Sequence, residues 1–312
     1  MPPHQGHKFL IETALAQVEE LTVIVCEKKD DPISGALRAA WLQETHPAAR
    51  VLLIDDYYDN DEDSQLWADL TIGWLGGVPD IAFTSEDYGD NWAKAMGCEH
   101  VKVDHARSNV PIGARYIRAN PLANWRWLEP PLRAYYALRV VVLGAESSGS
   151  TTLSLDLAAH FNTVWVPEYG RDYCAQRAIF DNYDWQTGEF EAIAREQIRR
   201  ENALAREANR VLLCDTNAFA TRLWHWRYFG HYSPAVDAIA AEHRKPDLYL
   251  LTDVDIPFVQ DGLRDGEAIR HAMHDEFVKE LQQQDVPWVL ISGSRDTRLQ
   301  TAIEQVKTLG LE

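Results

Sequence analysis

Val140-Val141-Val142-Leu143-Gly144-Ala145-Glu146-Ser147-Ser148-Gly149-Ser150-Thr151-Thr152-Leu153 decides how this chain is read. A β-branched run passes straight into two glycines five residues apart, then into hydroxyls and a helical pattern. Glycines let the backbone curl so that its N–H groups converge on a polyphosphate at a helix N-terminus. Gly144, Glu146, Ser147, Ser148, Gly149, Ser150, Thr151 and Thr152 are therefore candidate nucleotide-binding residues, with ATP as the ligand class. The general pattern G-x-x-x-x-G-K-[ST] has lysine where Ser150 stands, so this loop offers a hydroxyl in place of a charge. A glycine turn without ligand is the alternative.

Further residues extend this reading through the second half. Asp215 ends the apolar run Val211–Cys214, where a carboxylate and Thr151 would hold Mg²⁺. Its other reading is a helix N-cap. Glu168 lies just past the strand pattern Thr163–Val166, where α/β sheets place ligand-contacting groups, and is the candidate base for an acceptor hydroxyl. Its other reading is a salt bridge with Arg171. The segment Gln260–Gly266 is polar and arginine-bearing, and reads as a phosphate lid or as a plain solvated loop. Arg171 and Arg264 are candidates to replace the missing lysine, and Arg264 or Arg270 to stabilise charge on the transferring group.

Strand patterns at Leu138–Leu143, Thr163–Val166, Val211–Asp215, Asp247–Thr252 and Pro287–Ser292 alternate with helical ones. The first half repeats this βαβ grammar, with strands at Leu21–Cys26, Val51–Ile54, Asp80–Thr84 and His100–Val103. Both halves read as α/β with doubly wound parallel sheets. Residues 120–137 break the rhythm with Pro121, Pro130 and Pro131 among Trp125, Trp127, Tyr135 and Tyr136. The expected domains are 1–137 and 138–312.

The net charge of −18 offers no basic stripe for nucleic acid, and no apolar run is long enough for a membrane span. Cys26, Cys98, Cys174 and Cys214 lack C-x-x-C spacing, so reduced thiols and a cytoplasmic setting are expected. Near the start, His4-Gln5-Gly6-His7 opens a helical pattern. Its two imidazoles suit stabilisation of a reacting phosphate, or are surface histidines near a terminus. Arg115 and Arg118 follow Pro111-Ile112-Gly113, placed either to hold a triphosphate or on a solvated face.

Taken together these pieces resemble the NadR-type bifunctional nicotinamide mononucleotide adenylyltransferase/ribosylnicotinamide kinase family. The resemblance rests on His4–His7, Phe83-Thr84-Ser85-Glu86, Ile112–Arg118 with Asn120-Pro121, the loop Gly144–Gly149, Glu168-Tyr169-Gly170-Arg171, Asp215-Thr216 and Asp261-Gly262-Leu263-Arg264. It implies an N-terminal Rossmann-like nucleotidyltransferase sheet and a C-terminal P-loop kinase-like sheet. It implies phosphorylation of nicotinamide riboside by ATP to the mononucleotide (NMN), then adenylyl transfer from ATP to give NAD and pyrophosphate. His4, His7 and Arg118 would engage ATP phosphates in the first reaction centre, with Ser85 also binding nucleotide. Glu168, Arg264, Arg171 and the loop would serve the second, with Mg²⁺ on Thr151 and Asp215.

The chain departs from the family at Ser150, at Ile112-Gly113-Ala114 in place of Ile-Ser-Gly, and in lacking a family strand before His4, the central one of the first sheet, without which the neighbouring strands are expected to keep unpaired backbone groups. Two narrower functions stay open: one active half only, or a non-catalytic nucleotide or NAD sensor. Small-molecule substrates are the expected partners; a homo-oligomer is left open.

Overall fold

A computed structural model describes residues 2–58, 63–177, 184–262 and 264–311. The chain divides into two compact units, Met1–Leu132 and Arg133–Glu312, with the division inside one short helix. The first unit runs α1 (Gln5–Leu15), β1 (Thr22–Glu27), α2 (Gly35–Thr45), β2 (Arg50–Asp55), α3 (Ser64–Leu75), β3 (Ile81–Thr84), α4 (Tyr88–Met96), β4 (Glu99–Lys102) and α5 (Ala114–Ala119). The helix at the division is α6 (Pro130–Tyr136). The second unit continues β5 (Leu138–Gly144), α7 (Ser150–His160), β6 (Trp165–Val166), α8 (Tyr169–Arg177), α9 (Thr187–Leu204) and β7 (Val211–Asp215). It closes with α10 (Ala218–Phe229), α11 (Pro234–Glu242), β8 (Leu248–Thr252), α12 (Glu267–Leu281), β9 (Trp288–Ile291) and α13 (Arg295–Lys307).

The second unit holds one parallel sheet in the order β6-β7-β5-β8-β9. Its central strands are apolar on both faces because helices cover both. Val140 to Leu143, Val211 to Cys214 and Leu248 to Leu251 are all essentially buried. From β5 the chain turns first to one side of the sheet and later to the other, so the carboxyl end of β5 is a topological switch point. Register brings three groups to that end: Val142 lies opposite Asp215 of β7, and Gly144 opposite Thr252 of β8.

The first unit differs from the single sheet expected of it. Its strands form two parallel pairs, β1 with β2 and β3 with β4. A cleft of about 1510 Å³ lies between the pairs, lined along Leu21–Cys26, along Pro79–Thr84 and by Leu10, Ile11 and Ala14 of α1. The backbone groups on the cleft edges of β1 and β3 have no strand partner among the described residues. Continuous pairing needs adjacent strands about 4.8 Å apart, and no described strand bridges β1 and β3. Small apolar clusters support each pair: Ile11, Val25 and Leu42 on one side, Ala68, Ala82, Ala93 and Met96 on the other.

Candidate functional site

In the second unit the loop between β5 and α7 forms the floor of a cavity of about 190 Å³. Gly144 has no room for a side chain: a Cβ there would sit 2.1 Å from Thr252 Oγ1 and 2.2 Å from Ser148 Oγ. Those hydroxyls lie 2.7 Å apart, with Ser148 Oγ 2.6 Å from the Ala145 carbonyl and Thr252 donating to the Leu143 carbonyl at 3.1 Å. Ser148 and Thr252 thus shape the loop from within it. Gly149 caps α7 at φ +90°, and Ser147 is itself left-handed at φ +57°, so the turn depends on the contacts around it.

Thr151 Oγ1 donates to Asp215 Oδ2 at 2.5 Å. Asn217 is the N-cap residue of α10, which leaves Asp215 facing the loop. Burial raises the Asp215 pKa, opposed by hydrogen bonds from Thr151 and Ser150. A hydroxyl and a carboxylate are the hard oxygen donors that Mg²⁺ accepts, since it keeps much of its shell for water and phosphate. The pair fits such an ion; no group of three or more His, Cys, Asp or Glu forms a protein cage among the described residues.

Glu168 immediately precedes α8 and lines the same cavity. Its pKa is raised, first by burial and then by the Asp215 charge, while Arg171 pulls the other way. Arg171 Nη2 pairs with Asp261 rather than with Glu168. Arg264 Nε lies 3.4 Å from the same Asp261 oxygen, and Arg264 also donates to the Val259 carbonyl. Both arginines nominated to replace lysine are therefore already held by Asp261. Leu263, inside that motif, lies outside the described residues.

The stretch around Gln260–Gly266 touches the loop directly. Glu146 accepts from the Asp265 and Gly266 N–H groups at 2.9 and 3.3 Å, and Ser147 Oγ accepts from Val259 N–H at 2.9 Å. Glu146 and Ser147 thus hold this stretch against the loop. Thr152 is exposed on α7 and lines the cavity.

Beyond Glu168 the cavity becomes aromatic. Trp185 lies 5.2 Å from Tyr228 and 5.0 Å from Phe190, ring centre to ring centre, and Trp224 also lines it. These rings pack on one another and give the cavity an aromatic wall, the kind of surface on which a flat heterocycle stacks. The sequence reading did not include these residues; no spacing joins positions on α9, α10 and the segment between α8 and α9.

In the first unit His4 and His7 come together, with rings 4.1 Å apart. His4 Nδ1 accepts from Gly6 N–H at 3.0 Å, and His7 Nδ1 accepts from His4 N–H at 3.3 Å. Each ring therefore keeps its proton on Nε2 as a neutral donor. Burial lowers the His4 pKa to about 3 and the His7 pKa to about 4, with the Arg107 charge adding to both. His4 is buried, which sets aside the surface-histidine alternative for it.

Arg107 was not anticipated. It donates to the Ile112 carbonyl at 3.1 Å and pairs with Glu86 at 2.7 Å. A Cβ on Gly113 would meet its Nη1 at 2.3 Å, so glycine at this departure from Ile-Ser-Gly leaves Arg107 its path. Arg118 is exposed on α5, and Ser85 accepts from His105 Nδ1 through its carbonyl at 3.3 Å.

A family model described as AAA domain matches residues 139–298. The trifunctional NAD biosynthesis/regulator protein NadR of Escherichia coli (strain K12) is 29% identical over 336 aligned residues, covering 99% of this chain and 81% of its own length. Its Salmonella typhimurium counterpart gives the same identity and coverage. The chain shares its fold with a crystal structure of NadR in complex with NR (TM-score 0.76, 20% identity, 98% of this chain and 93% of that one). A second, of NadR with NAD and AMP-PNP, has a TM-score of 0.75 at 21% identity and covers 100% and 94%.

Proposed function

This chain belongs to the AAA domain family through residues 139–298, and from that premise we propose that it serves NAD biosynthesis as an ATP-dependent transferase with two activities. One observation carries the kinase half: Thr151, Asp215 and Glu168 line, with a phosphate loop, one cavity that also has Trp185, Phe190, Trp224 and Tyr228 in its wall. In this reading the nicotinamide ring stacks on that aromatic wall and the ribose 5′-hydroxyl faces Glu168. The hydroxyl oxygen attacks the γ-phosphorus of ATP, the bond to the β,γ-bridging oxygen breaks, ADP leaves, and Glu168 takes the hydroxyl proton. The raised pKa of Glu168 suits a group that must accept a proton near neutral pH. Bound Mg²⁺, held by Thr151 and Asp215, would neutralise charge on the β- and γ-phosphates.

The first unit supports adenylyl transfer. Neutral Nε2–H donors of His4 and His7 would bind ATP phosphate oxygens while an oxygen of the mononucleotide phosphate attacks the α-phosphorus and pyrophosphate leaves. Arg107 adds positive charge beside the histidines, and Arg118 would meet the triphosphate tail. The proposed domains are an adenylyltransferase region over 1–137 and a kinase region over 138–312.

Incubation with nicotinamide riboside, ATP and Mg²⁺, followed by product separation, tests the proposal. NAD as product supports both activities. Mononucleotide alone restricts the chain to the kinase. Tight binding without turnover supports a sensor, a second reading favoured by Ser150 and by the hold of Asp261 on Arg171 and Arg264.

A further inference from the structure

Several arginines approach the phosphate loop, and three of them have an acid beside them. Arg171 and Arg264 meet Asp261, and Arg298, which donates to the Ser148 carbonyl, pairs with Asp255. Arg270 is different. It sits in the first turns of α12, just past the lid, and is 3% exposed. Its Nη2 donates to the carbonyl of Ser147 at 3.1 Å, its Nε has no partner, and no carboxylate lies within ion-pair distance of it among the described residues. Glu267 and Asp255 act on it only at longer range, and burial lowers its pKa.

A buried, uncompensated cation is costly in the free protein and persists where an anion binds beside it. The loop above it lacks the lysine that would carry this charge, because position 150 is serine. We infer that Arg270 supplies the positive charge of the polyphosphate cradle, acting through the Ser147 turn in place of a lysine at position 150. It is a positioning residue, and the inference rests on the reading of this loop as an ATP site.

The test compares wild type with Arg270→Met, Arg270→Lys and Arg270→Met/Ser150→Lys. ATP–Mg²⁺ affinity is read by calorimetry, the ligand-free melting temperature by scanning, and kcat and KM from riboside phosphorylation. Arg270→Met should weaken ATP–Mg²⁺ about tenfold, the order of one lost charge-assisted hydrogen bond, here the one that holds the Ser147 carbonyl rather than a contact to ATP. The ligand-free melting temperature should stay level or rise, because a buried unpaired charge has gone. Arg270→Lys should keep most of the affinity, and Ser150→Lys should restore much of what Arg270→Met loses. Unchanged affinity in Arg270→Met overturns the inference. So does a lowered melting temperature that Ser150→Lys cannot rescue in affinity, which would make Arg270 a brace for the turn. Calorimetry reads Arg270 whether or not riboside is phosphorylated, so failure of the kinase reading alone appears as ATP binding without turnover.

Discussion

Gly144→Ala probes the phosphate loop most directly. The added methyl carbon would lie 2.1 Å from Thr252 Oγ1 and 2.2 Å from Ser148 Oγ, against about 3.5 Å for ordinary non-bonded contact. Neither hydroxyl retreats freely: Thr252 is fully buried and bonded to the Leu143 carbonyl, and Ser148 is 1% exposed and bonded to Ala145. Overpacking costs about 1–3 kcal/mol, and each displaced hydrogen bond about 0.5–1.5 kcal/mol, so the change should destabilise the second unit by about 2–6 kcal/mol. For a unit of this size that lowers the melting temperature by about 4–24 °C. Scanning calorimetry with and without ATP–Mg²⁺ measures both this loss and any loss of ligand stabilisation. Adding Thr252→Ala to Gly144→Ala removes one clashing oxygen and should recover part of it. A Gly144→Ala protein within about 0.5 kcal/mol of wild type, with normal ATP stabilisation, would refute the packing argument.

Glu168→Gln should leave ATP binding nearly intact while riboside phosphorylation falls by about 10²–10⁴; equal loss of adenylyl transfer from supplied mononucleotide would assign Glu168 a structural role instead. Asp215→Ala should impair Mg²⁺-dependent ATP use whatever the acceptor, seen as a raised metal requirement in a titration; an unaltered requirement removes Asp215 from the metal site. His4 and His7 are held at about 3 and about 4 in the folded chain, against 6.5 unfolded. The unfolded chain therefore binds more protons between these values, and first-unit stability should fall as pH drops from 6.5 toward 4 and stay level above 7. Urea titrations of wild type and a His4→Asn/His7→Asn pair should show a shallower pH dependence in the variant, and identical slopes would contradict this. Alternate amides of a parallel strand point to opposite edges. Those of β1 and β3 facing the cleft should exchange with solvent far faster than amides of β5, β7 and β8, and uniform protection would show that the strand pairs are not separate.

Much of the fold is legible in the sequence because it rests on local pattern. Short apolar runs bounded by turn residues, such as Val140–Leu143, read as strands buried on both faces, and the runs expected at Leu138–Leu143 and Asp247–Thr252 match β5 and β8 within a residue. The glycine spacing marks the loop, and a carboxylate at a strand end marks Asp215. These signals sit within a few residues of each other, where covalent geometry carries the information.

What the sequence by itself determined was therefore the kind of element at each place and the groups available there: an α/β chain, a phosphate loop, a carboxylate at a strand end and two histidines at a helix start. Only the tertiary structure decided which groups meet. Strand order puts Thr252 against Gly144 although over one hundred positions separate them. The fold gives Asp261 to Arg171, Arg107 to Glu86 and Arg270 to the Ser147 carbonyl, and it gathers Trp185 and Tyr228 into one cavity wall. It also leaves β1 and β3 unpaired with each other, each in its own two-stranded sheet. The physical reason is that propensity acts along the chain, whereas ion pairing and close packing depend on distance in space. That distance is set by the order in which strands assemble, and no local pattern records it.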